Sequence, residues 1–158
     1  MSKVTTADAL APALEKAFKE DTQVLVEEFI SGREFTIGVF KTKGSLQVLP
    51  ITEIETSNEF FDFEAKYQGK SVETTPALIS DTMQSQLEAA AKRVYEVLNC
   101  RGVVRIDFIY NEQKGLPYML EVNTVPGQSA ASVIPQQVKA MGASLQDFYT
   151  SIIEESIN

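Results

Sequence analysis

Cys100-Arg101-Gly102-Val103-Val104-Arg105-Ile106-Asp107-Phe108-Ile109-Tyr110, followed after a short gap by Tyr118-Met119-Leu120-Glu121-Val122-Asn123, is the stretch whose reading decides the fold. Both halves alternate with the period of a strand. Val104, Ile106 and Phe108 form an apolar face, and Arg105 and Asp107 a charged one. On the second half Glu121 and Asn123 share a face, with Leu120 and Val122 opposite. Lys114-Gly115 supplies a turn, so Val103–Tyr110 and Tyr118–Val122 read as a β-hairpin. A turn centred near Lys114 sets Asp107 opposite Glu121 and Arg105 opposite Asn123. Opposed side chains have Cβ atoms about 5 Å apart, and like charges so placed repel. Arg105 can offset that repulsion in a structural ion-pair network. A hard cation such as magnesium can do the same, since it prefers oxygen ligands and takes one or two carboxylates plus substrate phosphates. Spacing alone leaves both readings open.

Outward from the hairpin, Asp81–Leu98 reads as a helix with Met83, Leu87, Ala90, Ala91, Val94 and Leu98 as its apolar stripe. Asn99-Cys100-Arg101-Gly102 ends it. Residues 55–79 are polar, aromatic and irregular, a long loop of the kind that closes over sites. Glu34–Phe40 and Leu46–Ile54 read as strands joined through Lys43-Gly44, and Val24–Ile30 as a short strand ending at Ser31-Gly32. A first helix carries Leu10, Leu14, Ala17 and Phe18 on one face, with Thr6 as its cap. Thr124–Gln128 reads as a loop. A last helix starts near Ser144 and buries Leu145, Phe148, Tyr149, Ile152 and Ile153. Meander-like strands with flanking helices predict an α+β fold in one domain.

Composition narrows the function. The chain has 158 residues and a formal net charge of −8, with no long basic stretch, so it does not read as a nucleic-acid binder. No apolar run approaches the roughly 20 residues of a membrane span. Histidine is absent, which excludes Ser-His-Asp and Cys-His catalysis and histidine metal sites within this chain. Cys100 is the single cysteine and has no internal disulfide partner, which fits a reducing cytoplasm. Taken singly, Glu27-Glu28 reads as solvated acids at a strand end, Lys66-Tyr67 as a surface cation beside a packed aromatic, and Ser132 as a cap.

Taken together, four motifs carry a resemblance. Glu27-Glu28-Phe29-Ile30-Ser31-Gly32-Arg33-Glu34-Phe35-Thr36 is the first, and Phe61-Asp62-Phe63-Glu64-Ala65-Lys66-Tyr67 the second. Cys100–Phe108 and Leu120-Glu121-Val122-Asn123-Thr124-Val125-Pro126-Gly127 complete the set. In order and spacing they resemble the C-terminal, ATP-grasp half of D-alanine–D-alanine ligases. The resemblance implies an α+β fold with a mainly antiparallel sheet and flanking helices. It implies ATP- and magnesium- (or manganese-) dependent joining of two D-alanines through an acyl phosphate, for peptidoglycan precursor synthesis in the cytoplasm. Glu27 and the backbone after Phe29, at Ile30, would hold the adenine edge, with Phe29, Phe60 and Leu120 packing on the ring. Glu34 would bind the ribose. Lys66 would meet ATP phosphates, and Tyr67 would help close the site. Asp107 and Glu121 would bind one magnesium, and Glu121 with Asn123 a second. Arg105 and the Gly127 N–H would stabilise the tetrahedral oxyanion, and Ser132 would bind the carboxylate of the second D-alanine.

Members of the family vary in the segment matching Gln128-Ser129-Ala130-Ala131-Ser132-Val133. The family also places a substrate domain and a glycine-rich phosphate loop ahead of the first helix here, and Ser2-Lys3-Val4 resembles the tail of that loop. The resemblance therefore implies that residues 1–158 form a C-terminal ATP-grasp domain, a fragment of a commonly dimeric parent. Two alternatives stand beside it. One is another ATP-grasp carboxylate–amine ligase, including relatives that make D-alanyl-D-lactate or D-alanyl-D-serine; Ala65-Lys66-Tyr67 favours the dipeptide enzyme. The other is a non-catalytic nucleotide-binding module, against which intact Asp107, Glu121 and Asn123 argue. With half the phosphate cradle missing, the 158-residue chain alone is expected to release no ADP in a coupled assay with D-alanine and ATP; robust turnover would contradict the fragment reading.

Overall fold

The computed structural model describes residues 1–56 and 71–157; Phe60, Lys66 and Tyr67 lie outside the described residues. The chain divides into two compact units, Met1–Ile30 and Ser31–Asn158. In the first, a 3-10 turn at Ala7–Ala9 runs into helix α1, Leu10–Ala17. Thr6 has the extended backbone of a cap residue, but its hydroxyl caps nothing. Val24–Ile30, expected as a strand, is not one. A strand exists only through its ladder, and this segment pairs with no other strand among the described residues. Leu25 and Val26 accordingly stay exposed.

The second unit is an antiparallel sheet with helices on both faces, the expected α+β class. Its elements are β1 Arg33–Thr42, β2 Ser45–Val48, β3 Thr52–Thr56, β4 Ser71–Thr74, α2 Asp81–Val97, β5 Val103–Asn111, β6 Leu116–Asn123, α3 Val133–Ala140 and α4 Leu145–Ile157. The order across the sheet is β4-β3-β1-β5-β6, with β2 also paired to β1. The β1–β2 turn is Lys43-Gly44, both at positive φ between the Thr42↔Ser45 pair, the geometry that matches the twist of a two-residue hairpin.

Strand β1 is buried continuously from Phe35 to Phe40, so both its faces are covered. On one face Phe35, Ile37 and Val39 join Val104, Ile106 and Phe108 of β5 under Met83, Leu87, Ala91 and Tyr95 of α2. Of the stripe read from the sequence, Met83, Leu87 and Ala91 are buried and Ala90 and Val94 partly so, but Leu98 at the helix end is 53% exposed and Tyr95 takes the last core position instead. Ser80 caps the helix by accepting the Met83 N–H. Asn99, at φ +50°, turns the chain out of it. On the other face Phe40 and Leu49 pack with Ile134 and Val138 of α3 and Phe148 of α4. Phe40 and Phe148 meet edge to face at 5.0 Å. Only Phe148 of the residues expected to be buried on α4 is fully so; Leu145, Tyr149 and Ile152 are partly buried and Ile153 is 58% exposed. The helix packs through Phe148 on Phe40, near the end of the central strand β1, and leaves one flank in water.

Three elements of this second unit differ from expectation. Leu46–Ile54 is two strands, because Leu49-Pro50-Ile51 interrupts the ladder where proline has no N–H to give. Ser71–Thr74 forms β4 inside what read as loop. Helix α3 was not foreseen; Pro135 sits in its first turn, where no intrahelical bond is lost.

The interruption at Pro50 is bridged by a side chain. The Gln137 amide accepts from Gly38 N–H at 3.1 Å and donates to the Thr36 carbonyl and to Thr52 Oγ1, both at 3.0 Å. It therefore replaces the missing strand partner of β1 and ties α3 to the sheet centre. Gln137 is fully buried. Gln137→Leu strands a buried N–H and a buried carbonyl, and is expected to lower unfolding free energy by about 3 kcal/mol, measured by urea denaturation; a loss within error of zero would contradict this role.

Candidate functional site

The charged face of β5 carries the site. Across from it on β1 stand Gly38 opposite Arg105, Thr36 opposite Asp107 and Glu34 opposite Ile109. On the other flank, Asn123 stands opposite Arg105 and Glu121 opposite Asp107, as the sequence predicts. The route to that pairing differs from the expected one. From Asn111↔Leu116 to Phe108↔Met119 the hairpin keeps one register, and the next pair is Asp107↔Glu121. Leu120 is the extra residue of a β-bulge. In unbroken register Asp107 would face Leu120 and Arg105 would face Val122. Glu121 and Asn123 would then point to the α2 side, into the hydrophobic core. The bulge re-aims both polar residues onto the face of Asp107, which is a recognised use of bulges beside active sites.

The patch is tightly bonded. Arg105 donates to both oxygens of Asp107, Nε to Oδ1 at 3.0 Å and Nη2 to Oδ2 at 2.8 Å. The same Nη2 lies 3.6 Å from Glu121 Oε1. Burial works to lower the Arg105 pKa, but the Asp107 hydrogen bonds and the charges of Asp107, Glu121 and Glu73 outweigh it and raise the pKa. A raised arginine pKa stabilises the fold at every pH below the unfolded value, so the guanidinium is charged throughout the working range. Thr36 Oγ1 donates to Asp107 Oδ1 at 2.5 Å. Asn123 Oδ1 accepts the Val125 N–H at 3.0 Å, which identifies the amide oxygen and orients it.

This donor set fits a hard divalent cation. Asp107, Glu121 and Asn123 offer oxygen only. Among the described residues no group of three His, Cys, Asp or Glu side chains is assembled for a metal. Two carboxylates and an amide leave positions for phosphate oxygens and water, as magnesium requires. Of the roughly four lone-pair sites of Asp107, three are taken by Arg105 and Thr36, which leaves one on Oδ2; Asn123 Oδ1 keeps a second lone pair.

The other expected residues are distributed as follows. Gly127 and Ser132 are neighbours: a Cβ on Gly127 would lie 2.7 Å from Ser132 Oγ. Ser132 occupies the N-cap position of α3 but caps no backbone N–H. Its hydroxyl pairs instead with Ser129 Oγ at 2.9 Å. Glu34 lies on the site face of β1, and Leu120, half exposed, is the bulge residue. Glu27, Phe29 and Ile30 belong to the first unit, where Lys3 Nζ stands 4.5 Å over the ring of the exposed Phe29. Thr36 was missed by the sequence reading. Its one signal was position: a polar residue two along from Glu34 and therefore on the same face.

Residues 1–154 match the family described as D-ala D-ala ligase C-terminus, and the chain belongs to that family. It is 50% identical over 157 residues to the D-alanine–D-alanine ligase of Flavobacterium johnsoniae, covering 99% of this chain and 48% of that protein. The ATP complex of the D-alanine–D-alanine ligase of Bacillus anthracis superposes with a TM-score of 0.78 at 30% identity, over 98% of this chain and 48% of that one. The VanG D-Ala:D-Ser ligase of Enterococcus faecalis superposes with a TM-score of 0.80 at 34% identity, over 97% and 44%. The chain spans about half the length of the curated relatives it matches.

Arg105 acts as an internal counter-ion between Asp107 and Glu121. Arg105→Met is expected to lower stability by about 2 kcal/mol through the lost charged hydrogen bonds. Magnesium should then raise the melting temperature of the variant more than that of the parent chain, because the carboxylates have lost their cation. An equal magnesium response in both would contradict the site assignment.

Proposed function

We propose that this chain forms the metal and phosphate end of a ligase site that joins two D-alanines at the expense of ATP. The observation that carries the reading is the bulge-set facing of Asp107 and Glu121, with Asn123 and Arg105 beside them. The family membership and the ATP complex of the Bacillus anthracis relative support it. Magnesium or manganese ions held by Asp107, Glu121 and Asn123 would clamp the ATP phosphates and neutralise charge on the transferring group.

The chain's own residues supply the rest. Glu34 takes the ribose, and Leu120 packs on the adenine. Glu27 and the Ile30 backbone meet the adenine edge. Lys66 engages phosphate and Tyr67 closes the site. The carboxylate of the first D-alanine takes the γ-phosphoryl group of ATP with release of ADP, and the amine of the second attacks the acyl phosphate, losing a proton and expelling inorganic phosphate. Arg105, released from Asp107, and the Gly127 N–H stabilise the resulting oxyanion as preorganised donors. Ser132 holds the carboxylate of the second D-alanine. Exclusion of water matters because it would hydrolyse the acyl phosphate. The product would serve peptidoglycan synthesis in the cytoplasm, within a dimeric parent. Among the described residues no helix is long and apolar enough to cross a membrane.

One comparison favours a second reading. The D-Ala:D-Ser ligase of Enterococcus faecalis superposes with the same TM-score, 0.80, as a D-alanine–D-alanine ligase of Bacillus anthracis, so D-serine is the competing acceptor. D-Alanine is the acceptor expected to win when the whole enzyme is offered D-alanine, D-serine and D-lactate. For the site itself, calorimetric titration with ATP and magnesium, repeated on Glu121→Ala, is expected to show magnesium-dependent binding that weakens at least about tenfold in the variant. Binding indifferent to Glu121→Ala, or to removal of magnesium, would contradict the proposal.

A further inference from the structure

Asp107 is gripped twice, from its own strand and from the neighbouring one. Arg105 spans both carboxylate oxygens. Thr36, its direct partner on β1, adds the 2.5 Å bond to Oδ1. An ionised carboxylate only accepts, so the threonine hydroxyl is the donor. The two grips differ in permanence. Arg105 is a long, mobile cation that a bound divalent ion repels and that the proposed chemistry requires at the oxyanion. Thr36 is a short, β-branched side chain with few rotamers, only 4% exposed. Its backbone carbonyl is held by the buried Gln137, which also binds Thr52 across the sheet. The terminal torsion of an aspartate is otherwise broad. Once Arg105 leaves, the Thr36 hydroxyl is the contact that keeps Oδ1 turned to β1, and so keeps Oδ2 on the side where Arg105 Nη2 bridges it to Glu121.

We propose that Thr36 is a positioning residue that fixes the Asp107 carboxylate for the divalent cation, braced from α3 through Gln137. The inference rests on the metal reading of Asp107, Glu121 and Asn123. It adds a role for the central strand β1, which supplies none of the three metal ligands yet sets the direction of one. Outer contacts of this kind orient metal ligands, and their loss commonly costs about 10- to 100-fold in affinity.

The test is a magnesium chloride titration of the full 158-residue chain, followed through the amide NMR signals of residues 105–107 and 121–123. Thr36→Val keeps the shape and removes the donor; its apparent magnesium Kd is expected to rise about tenfold. Thr36→Ser restores the hydroxyl and is expected to keep the parent midpoint, which a purely packing role for the threonine methyl would not give. If Thr36→Val loses its dispersed spectrum, Thr36→Ala against Thr36→Ser makes the same comparison. Asp107→Asn separates the two levels of the claim. If it abolishes the magnesium response while Thr36→Val and Thr36→Ala leave the Kd unchanged, the positioning role is overturned and the metal site stands. If Asp107→Asn leaves the response intact, the metal reading fails and the positioning role falls with it.

Discussion

One extra residue in one edge strand decides what this sheet can do. Leu120 breaks the register of β6 against β5, and every polar residue beyond it changes face. A one-residue slip moves a whole side-chain set from solvent to core. Here the slip is local, and it runs in the useful direction. Met119 and Val122 stay on the α2 side, while Glu121 and Asn123 reach the face of Asp107. The apolar core under α2 thus excludes the alternative register, since adopting it would bury a carboxylate and an amide among Ile106, Phe108 and Leu87.

The patch so formed needs a cation. Two carboxylates on opposed strand positions repel, and Arg105 offsets the repulsion in the state described here through its two bonds to Asp107 and its approach to Glu121. Spacing alone leaves the ion-pair network and the metal site as alternatives, and the geometry shows the ion-pair network. On the proposed reading, a divalent ion with its phosphates would take over the neutralisation of the carboxylates from the guanidinium. Gly127 and Ser132 are brought side by side just ahead of α3, on the segment that follows β6. Gln137 anchors that helix to β1 and to Thr52 of β3, so the segment and the sheet centre share one buried support.

Elements governed by local periodicity were legible in the sequence. The α2 stripe and the alternation of β5 and β6 follow from side-chain geometry alone, and Asn99 marked the helix end. The facing of Asp107 and Glu121 was also foreseen, although by a turn centre that the structure replaces with a four-residue loop and a bulge. What escaped depends on distant parts of the chain. Val24–Ile30 has strand composition but lacks a ladder among the described residues. The split at Pro50 becomes stable only because Gln137 fills it. Helix α3 is short and carries a proline, so its pattern resembles a loop. The bond from Thr36 to Asp107 joins residues 71 apart in sequence, and no pattern within either strand announces it.

The central claim is that Asp107, Glu121 and Asn123 converge to hold a divalent ion against nucleotide phosphates. The most direct measurement is an anomalous difference map from crystals of the chain grown with manganese and a non-hydrolysable ATP analogue. The account predicts peaks bounded by the Asp107, Glu121 and Asn123 oxygens, with Arg105 moved off Asp107. Manganese found elsewhere, with the Arg105–Asp107 pair intact, would contradict it.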